Sequence, residues 1–162
     1  MTTVRTFSIS AGLDASTVTP GSTAPVVSAT WPAIVLCDHA GNAIPPEYGT
    51  LGLPESQLKR HIAYDIGAAA VTRAVAAALG VPAVLTRFSR LLIDPNRGAD
   101  DPTLIMRLSD GAVIPGNRHL DAAERTRRVD RYYRPYHDAV DAVLDRCVAT
   151  GVPPAIISIH SF

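Results

Sequence analysis

Ala33-Ile34-Val35-Leu36-Cys37 runs directly into Asp38-His39-Ala40-Gly41-Asn42. Five apolar residues in a row read as a strand buried on both faces, and the abrupt switch to Asp, His, Gly and Asn reads as a loop leaving its carboxyl end. Open α/β sheets gather ligands at such strand ends, because loops from neighbouring strands converge there. The pattern recurs twice. Ala83–Thr86 is a second buried run, with Leu91–Ile93 continuing the β signal after Ser89-Arg90, and Ala155–Ile159 is a third, leading into His160.

Helical periodicity fills the gaps between these runs. Pro54-Glu55-Ser56 opens a helix whose stripe is Leu58, Ile62, Ile66 and Ala69, and Gly80 closes it near Pro82. Asp121 followed by Glu124 resembles a capping box for a second long helix. Its stripe is Val129, Tyr133, Tyr136, Val140, Val143 and Cys147, with Pro135 kinking or dividing it. Pro95 to Asn117 is loop-rich, broken by Asp-Pro, Asp-Gly and Pro-Gly steps. Strands alternating with long helices predict an α/β fold, a three-layer mixed sheet with helices on both faces. Residues 1–32 read as an N-terminal arm with one edge strand around Val4–Ser8. Residues 33–162 read as one domain.

Fifteen basic and fifteen acidic residues leave no net charge, which removes the electrostatic footprint of a nucleic-acid or membrane-surface partner. Lys59 is the only lysine. The remaining basic groups are arginines, whose forks suit small carboxylates, although composition bias is the simpler account. Cys37 and Cys147 lie far apart in apolar runs and read as reduced core residues. No signal peptide or bilayer-spanning stretch is evident, so a cytoplasmic protein is expected.

The polar residues at the strand ends are the candidates for chemistry. His39 suits a metal ligand or a loop-stabilising role. His61 and Asp65, four apart on the predicted helix, share a face. Asp65 falls at the margin of the buried stripe, and a buried carboxylate needs a partner, either a metal or Arg90 or Arg97. His61 suits a structural role near the site. Asn96 and Arg97 offer an amide and a guanidinium fork for a carboxylate, against the alternative of an Asx-turn with a surface arginine. His160 is either a satisfied core histidine or a ligand, and His137 beside Tyr136 reads as a packing residue.

Taken together, Cys37–Pro45, His61–Ala68, Ser89–Arg97 and Ser158–Phe162, with the Ile114–Asn117 turn and the Tyr136-His137 pair, resemble the N-formylglutamate amidohydrolase family. That family is similar in fold to zinc carboxypeptidases and aspartoacylase. The resemblance implies a zinc-carboxypeptidase-like fold and Zn2+ as cofactor, with His39 and His160 as zinc ligands. Asn96 and Arg97 match the pair that holds a substrate carboxylate and polarises the scissile carbonyl; Arg90 and Asn42 are further substrate-binding candidates. Asn42 stands where the carboxypeptidase-like pattern has a glutamate ligand. Asp65 is the substitute, with Glu47 behind it.

The implied activity is hydrolysis of the amide of N-formyl-L-glutamate or a similar small N-acyl amino acid by metal-activated water, with a carboxylate general base. Family members continue past the Ser-Ile-His-Ser strand and take their base from there. The expectation is therefore a member truncated at its C-terminus, and the alternative is a non-catalytic metal-binding or interaction domain.

Overall fold

In a computed structural model, which describes residues 6–8 and 32–161, the run Ala33–Cys37 is the strand β2 at the heart of a four-stranded sheet. β1 (Thr6–Ser8), β3 (Ala83–Leu85) and β6 (Ala155–Ser158) complete it in the order β1-β3-β2-β6. All three ladders are parallel, so the described sheet is not mixed as expected. A separate hairpin, β4 (Leu108–Ser109) and β5 (Ala112–Val113), turns at Asp110-Gly111, both at positive φ as a tight two-residue hairpin requires. β1 is the edge strand expected around Val4–Ser8; residues 1–5 and 9–31 of the N-terminal arm lie outside the described residues.

Alternation along β2 explains why its sequence is apolar throughout. Ala33, Val35 and Cys37 pack with Ala83, Leu85 and helix α1 (Ala68–Leu79) on one face. Ile34 packs with Val84 and helix α3 (Arg134–Val148) on the other, through Tyr136, Val140, Val143 and Cys147. Helices therefore cover both faces. The connection after β2 reaches α1 and the connection after β3 reaches α3, on opposite faces. The carboxyl ends of these adjacent strands thus form a switch point, where a ligand crevice opens.

The first helix is shorter than the periodicity predicts. Residues 60–67 form turns, and α1 begins only after Gly67, at φ 82°. The backbone there is bonded elsewhere: Asp65 N–H to the His39 carbonyl, and the Ala63 carbonyl to both Arg90 N–H and the Ser89 hydroxyl. Ile66, counted in the apolar stripe, is 55% exposed. Leu51, Leu53, Ile62, Phe88, Leu104, Ile114 and Tyr132 instead form a separate core beneath the loops. Leu91–Ile93 joins that core fully buried but as a turn, closed by Leu92 N–H to the Ser89 carbonyl. An uninterrupted apolar run signalled burial there, not a strand.

The second helix is in three parts. Asp121 caps α2 (Ala122–Arg128) by accepting from Glu124 N–H at 2.7 Å, while the Glu124 carboxylate pairs with Arg127 and Arg128. A π-helical turn over Val129–Tyr133 precedes α3. Pro135 at the start of α3 has no N–H to donate, and the wider turn relieves its ring of the preceding carbonyls. β6 differs from expectation too. Among the described residues it pairs only with β2, and Ile156 is 56% exposed, so within them it is an edge and not a buried strand. Among the described residues no helix is long and apolar enough to cross a membrane.

Candidate metal and carboxylate site

Loops from three adjacent strands meet at one end of the sheet. Asp38 and His39 follow β2, Arg90 to Arg97 follow β3, and His160 lies just beyond β6. The start of the first loop is stitched to its neighbour by Thr86, whose hydroxyl donates to the Asp38 carbonyl and accepts from Ala40 N–H. Gly41 lies so close to the Arg87 carbonyl that a Cβ would overlap it, which accounts for glycine at this position.

His39, Asp65 and His160 each present a ligand atom within 4.8 Å of the other two. His39 Nδ1 is 3.4 Å from Asp65 Oδ1, and His160 Nδ1 is 3.1 Å from Asp65 Oδ2. Tetrahedral zinc bonds of about 2.0–2.1 Å place neighbouring donors roughly 3.3 Å apart. His39 Nδ1 is also buried, with no hydrogen-bond partner among the described residues. Its other nitrogen, Nε2, lies 2.7 Å from Asp94 Oδ1, and Asp94 is fully buried. Burial alone would raise the Asp94 pKa, but the His39 hydrogen bond and charge, Arg90 and Asn96 N–H hold it below the usual carboxylate value. An ionised Asp94 accepts from Nε2–H, which leaves the Nδ1 lone pair of neutral imidazole aimed at Asp65 and His160.

Charge points the same way. Three carboxylates, Asp38, Asp65 and Asp94, are buried around this point. The nearby guanidinium is Arg90, 3.5 Å from Asp65 and 3.2 Å from Asp94, with Arg97 further out at 3.8 Å from Asp94. A surplus of buried negative charge is costly unless a cation balances it. Asp38 receives a further hydrogen bond from the Tyr136 hydroxyl. Burial, followed by the Asp38 charge, pushes that phenol well above its ordinary pKa and keeps it a donor.

The side that carries Asn96 and Arg97 is open. Asn96 and Arg97 are exposed, on a loop turned by Asp94 Oδ1 accepting Asn96 N–H at 2.9 Å. The Asx-turn expected here is thus present, with Asp94 anchoring the loop that presents Asn96-Arg97. Tyr133 holds the same loop by donating to the Arg97 carbonyl.

Other sequence candidates lie elsewhere or are already engaged. Glu47 accepts from the Tyr132 hydroxyl and pairs with Arg131, outside the histidine group. His61 is exposed beside Asp110, so it shares no helix face with Asp65. Asn42 donates to the Leu58 carbonyl at 2.9 Å, clamping its own loop. Arg90 bridges Asp65 and Asp94. His137 packs on Tyr133 and Tyr136. The roles of Asp38, Asp94 and Tyr136 had not been assigned. All three stand in quoted motifs, but their contacts join segments distant in sequence.

Fold and site together define an α/β protein with a candidate cation group beside an exposed Asn-Arg pair. The family model of N-formylglutamate amidohydrolase matches residues 31–162, and the chain belongs to that family. The crystal structure of gene product Atu2144 from Agrobacterium tumefaciens is similar, with a TM-score of 0.79 and 39% identity over 84% of this chain and 54% of that one. The chain therefore spans about half the length of that protein. No curated protein matches it.

Proposed function

We propose that this chain carries the metal-binding and carboxylate-binding part of a zinc-dependent amidohydrolase acting on N-formyl-L-glutamate or a similar small N-acyl amino acid, on a zinc-carboxypeptidase-like fold. The observation that carries the reading is the unpartnered, buried Nδ1 of His39, facing Asp65 and His160 one loop away from Asn96-Arg97. His39, Asp65 and His160 would hold the ion. When bound, zinc supplies Lewis acidity toward an acyl oxygen and acidifies a coordinated water.

The chain's own residues do the rest. Arg97 offers a two-pronged donor to the substrate α-carboxylate, and Asn96 adds an amide donor for the carboxylate or scissile carbonyl. Holding the substrate by its carboxylate fixes the amide against the histidine group, turning an encounter into a positioned reaction. Arg90 pairs with both Asp65 and Asp94 and so offsets part of their buried negative charge. Asn42 fixes the loop that carries His39.

The second reading, a metal-binding module without catalysis, is favoured by one observation. Asp38, Asp65 and Asp94 each already hold a partner, so none of the three is free to act as general base. Binding of N-formyl-L-glutamate to the zinc-loaded chain separates the two. The amidohydrolase reading expects zinc-dependent binding that Arg97→Ala weakens. Zinc binding with no affinity for N-formyl-L-glutamate supports the module.

A further inference from the structure

His39 has a carboxylate behind it; His160 has one as well, supplied by Asp38 from the turn after β2. His160 Nδ1 faces Asp65, so Nε2 is its rear nitrogen. Behind it lie Ser158 Oγ at 2.9 Å and Asp38 Oδ2 at 3.6 Å. The other oxygen of Asp38, Oδ1, accepts the hydroxyl of Tyr136 from α3. Asp38 and Tyr136 are both buried. The aspartate is therefore held at one oxygen by a phenol and presents the other to the imidazole.

We propose that Asp38, clamped by Tyr136, is a positioning residue for His160, so that α3 sets the orientation of the second histidine of the metal group. The inference rests on the reading that His39, Asp65 and His160 bind a metal. His160 lies two residues beyond β6, with a quarter of its side chain exposed. Its ring also meets Ser158 Oγ, and its neighbour adds two bonds, Ser161 N–H to Asp65 and the Ser161 hydroxyl to the Ile66 carbonyl. A metal on Nδ1 leaves the ring proton on Nε2, where an anion favours it and raises the basicity of the ligand. Tyr136 acts on the site only through Asp38, and it also seats in the core with Ile34 and Val84. The packing of α3 on the sheet and the geometry of the histidine are thereby joined.

The test measures zinc affinity of the full chain by chelator competition, with the visible spectrum of the cobalt form alongside. Tyr136→Phe keeps the ring and removes the hydroxyl; Asp38→Asn removes the anion. Each is expected to weaken zinc binding about tenfold and to alter the cobalt bands even at saturation. The double variant should bind no more weakly than Asp38→Asn alone, because the two residues act in series. Unchanged affinity and cobalt spectrum with a lowered melting temperature would make the pair purely structural and overturn the proposal. Additive losses would overturn the serial arrangement. Where Tyr136→Phe does not fold, Asp38→Asn decides alone. If the wild-type chain binds neither metal, the metal reading falls and takes this one with it; if it binds and both variants match it, only the positioning role falls.

Discussion

Replacing Asp94 by Asn tests how the loop after β3 governs the histidine after β2. Oδ1 of Asp94 accepts from both His39 Nε2 and Asn96 N–H, and Oδ2 accepts from Arg90. An amide cannot satisfy all three donors. With its oxygen toward His39 and Asn96, its NH2 meets the Arg90 guanidinium. With the amide reversed, NH2 meets Asn96 N–H and donates to His39 Nε2, which moves the imidazole proton to Nδ1 and blocks the ligand atom. Either way one charge-assisted hydrogen bond is lost, a stability cost of about 1.5–3 kcal/mol. Losing the partner behind a ligating histidine weakens metal binding by about 10–100-fold, or roughly 1.4–2.8 kcal/mol. Chelator competition with zinc reads the second figure and chemical denaturation of the metal-free chain reads the first. If Asp94→Asn binds zinc as tightly as wild type, Asp94 does not set the tautomer and the proposed ligand atom on His39 is wrong.

Other perturbations probe the frame around the site. Gly41→Ala should cost about 3 kcal/mol, since the new methyl meets the Arg87 backbone. Gly49→Ala has open space, but at φ 54° and ψ −122° it should still cost about 1–3 kcal/mol in backbone strain, and paired melts compare the two. Glu124 is the anion for the buried Arg128, which also donates to the Leu92 carbonyl and to Asn117. Glu124 keeps 24% of its side chain exposed, so Glu124→Gln should cost about 2 kcal/mol, less than the roughly 3–5 kcal/mol of a fully buried pair. Burial raises the Glu124 pKa, but its bonds to Arg127 and Arg128 outweigh that and hold it below 4.5. Its stabilisation is therefore complete above the unfolded value and is lost as pH falls through the folded one. Glu124→Gln should flatten the acid limb of stability below about pH 4.5, and an unchanged limb would contradict the pairing.

How far the chain could be read depended on whether neighbours in sequence were also neighbours in space. Ala33–Cys37 declared itself because helices cover both faces of β2, and Asp121 declared its helix because a cap acts within one turn. The loop at residues 60–67 misled. Ile62 and Ile66 have helical spacing, yet Ile62 belongs to the core beneath the loops and Ile66 to solvent. The backbone bonds that hold this stretch as turns come from His39, Ser89 and Arg90, which no local pattern announces. Asp65 was nonetheless singled out, because a carboxylate at the edge of an apolar stripe signals a buried partner whatever the local backbone. Asp94 was invisible as a partner of His39, 55 residues away. Pro135 announced a break but not the π turn that accommodates it.

Metal content of the purified chain, with His39→Ala beside it, tests the central claim most directly. After loading with zinc and removal of excess, elemental analysis should find one ion per wild-type chain and essentially none in His39→Ala, with both folded by circular dichroism. A wild-type chain without zinc, or a His39→Ala chain that retains it, would contradict the assignment of the site.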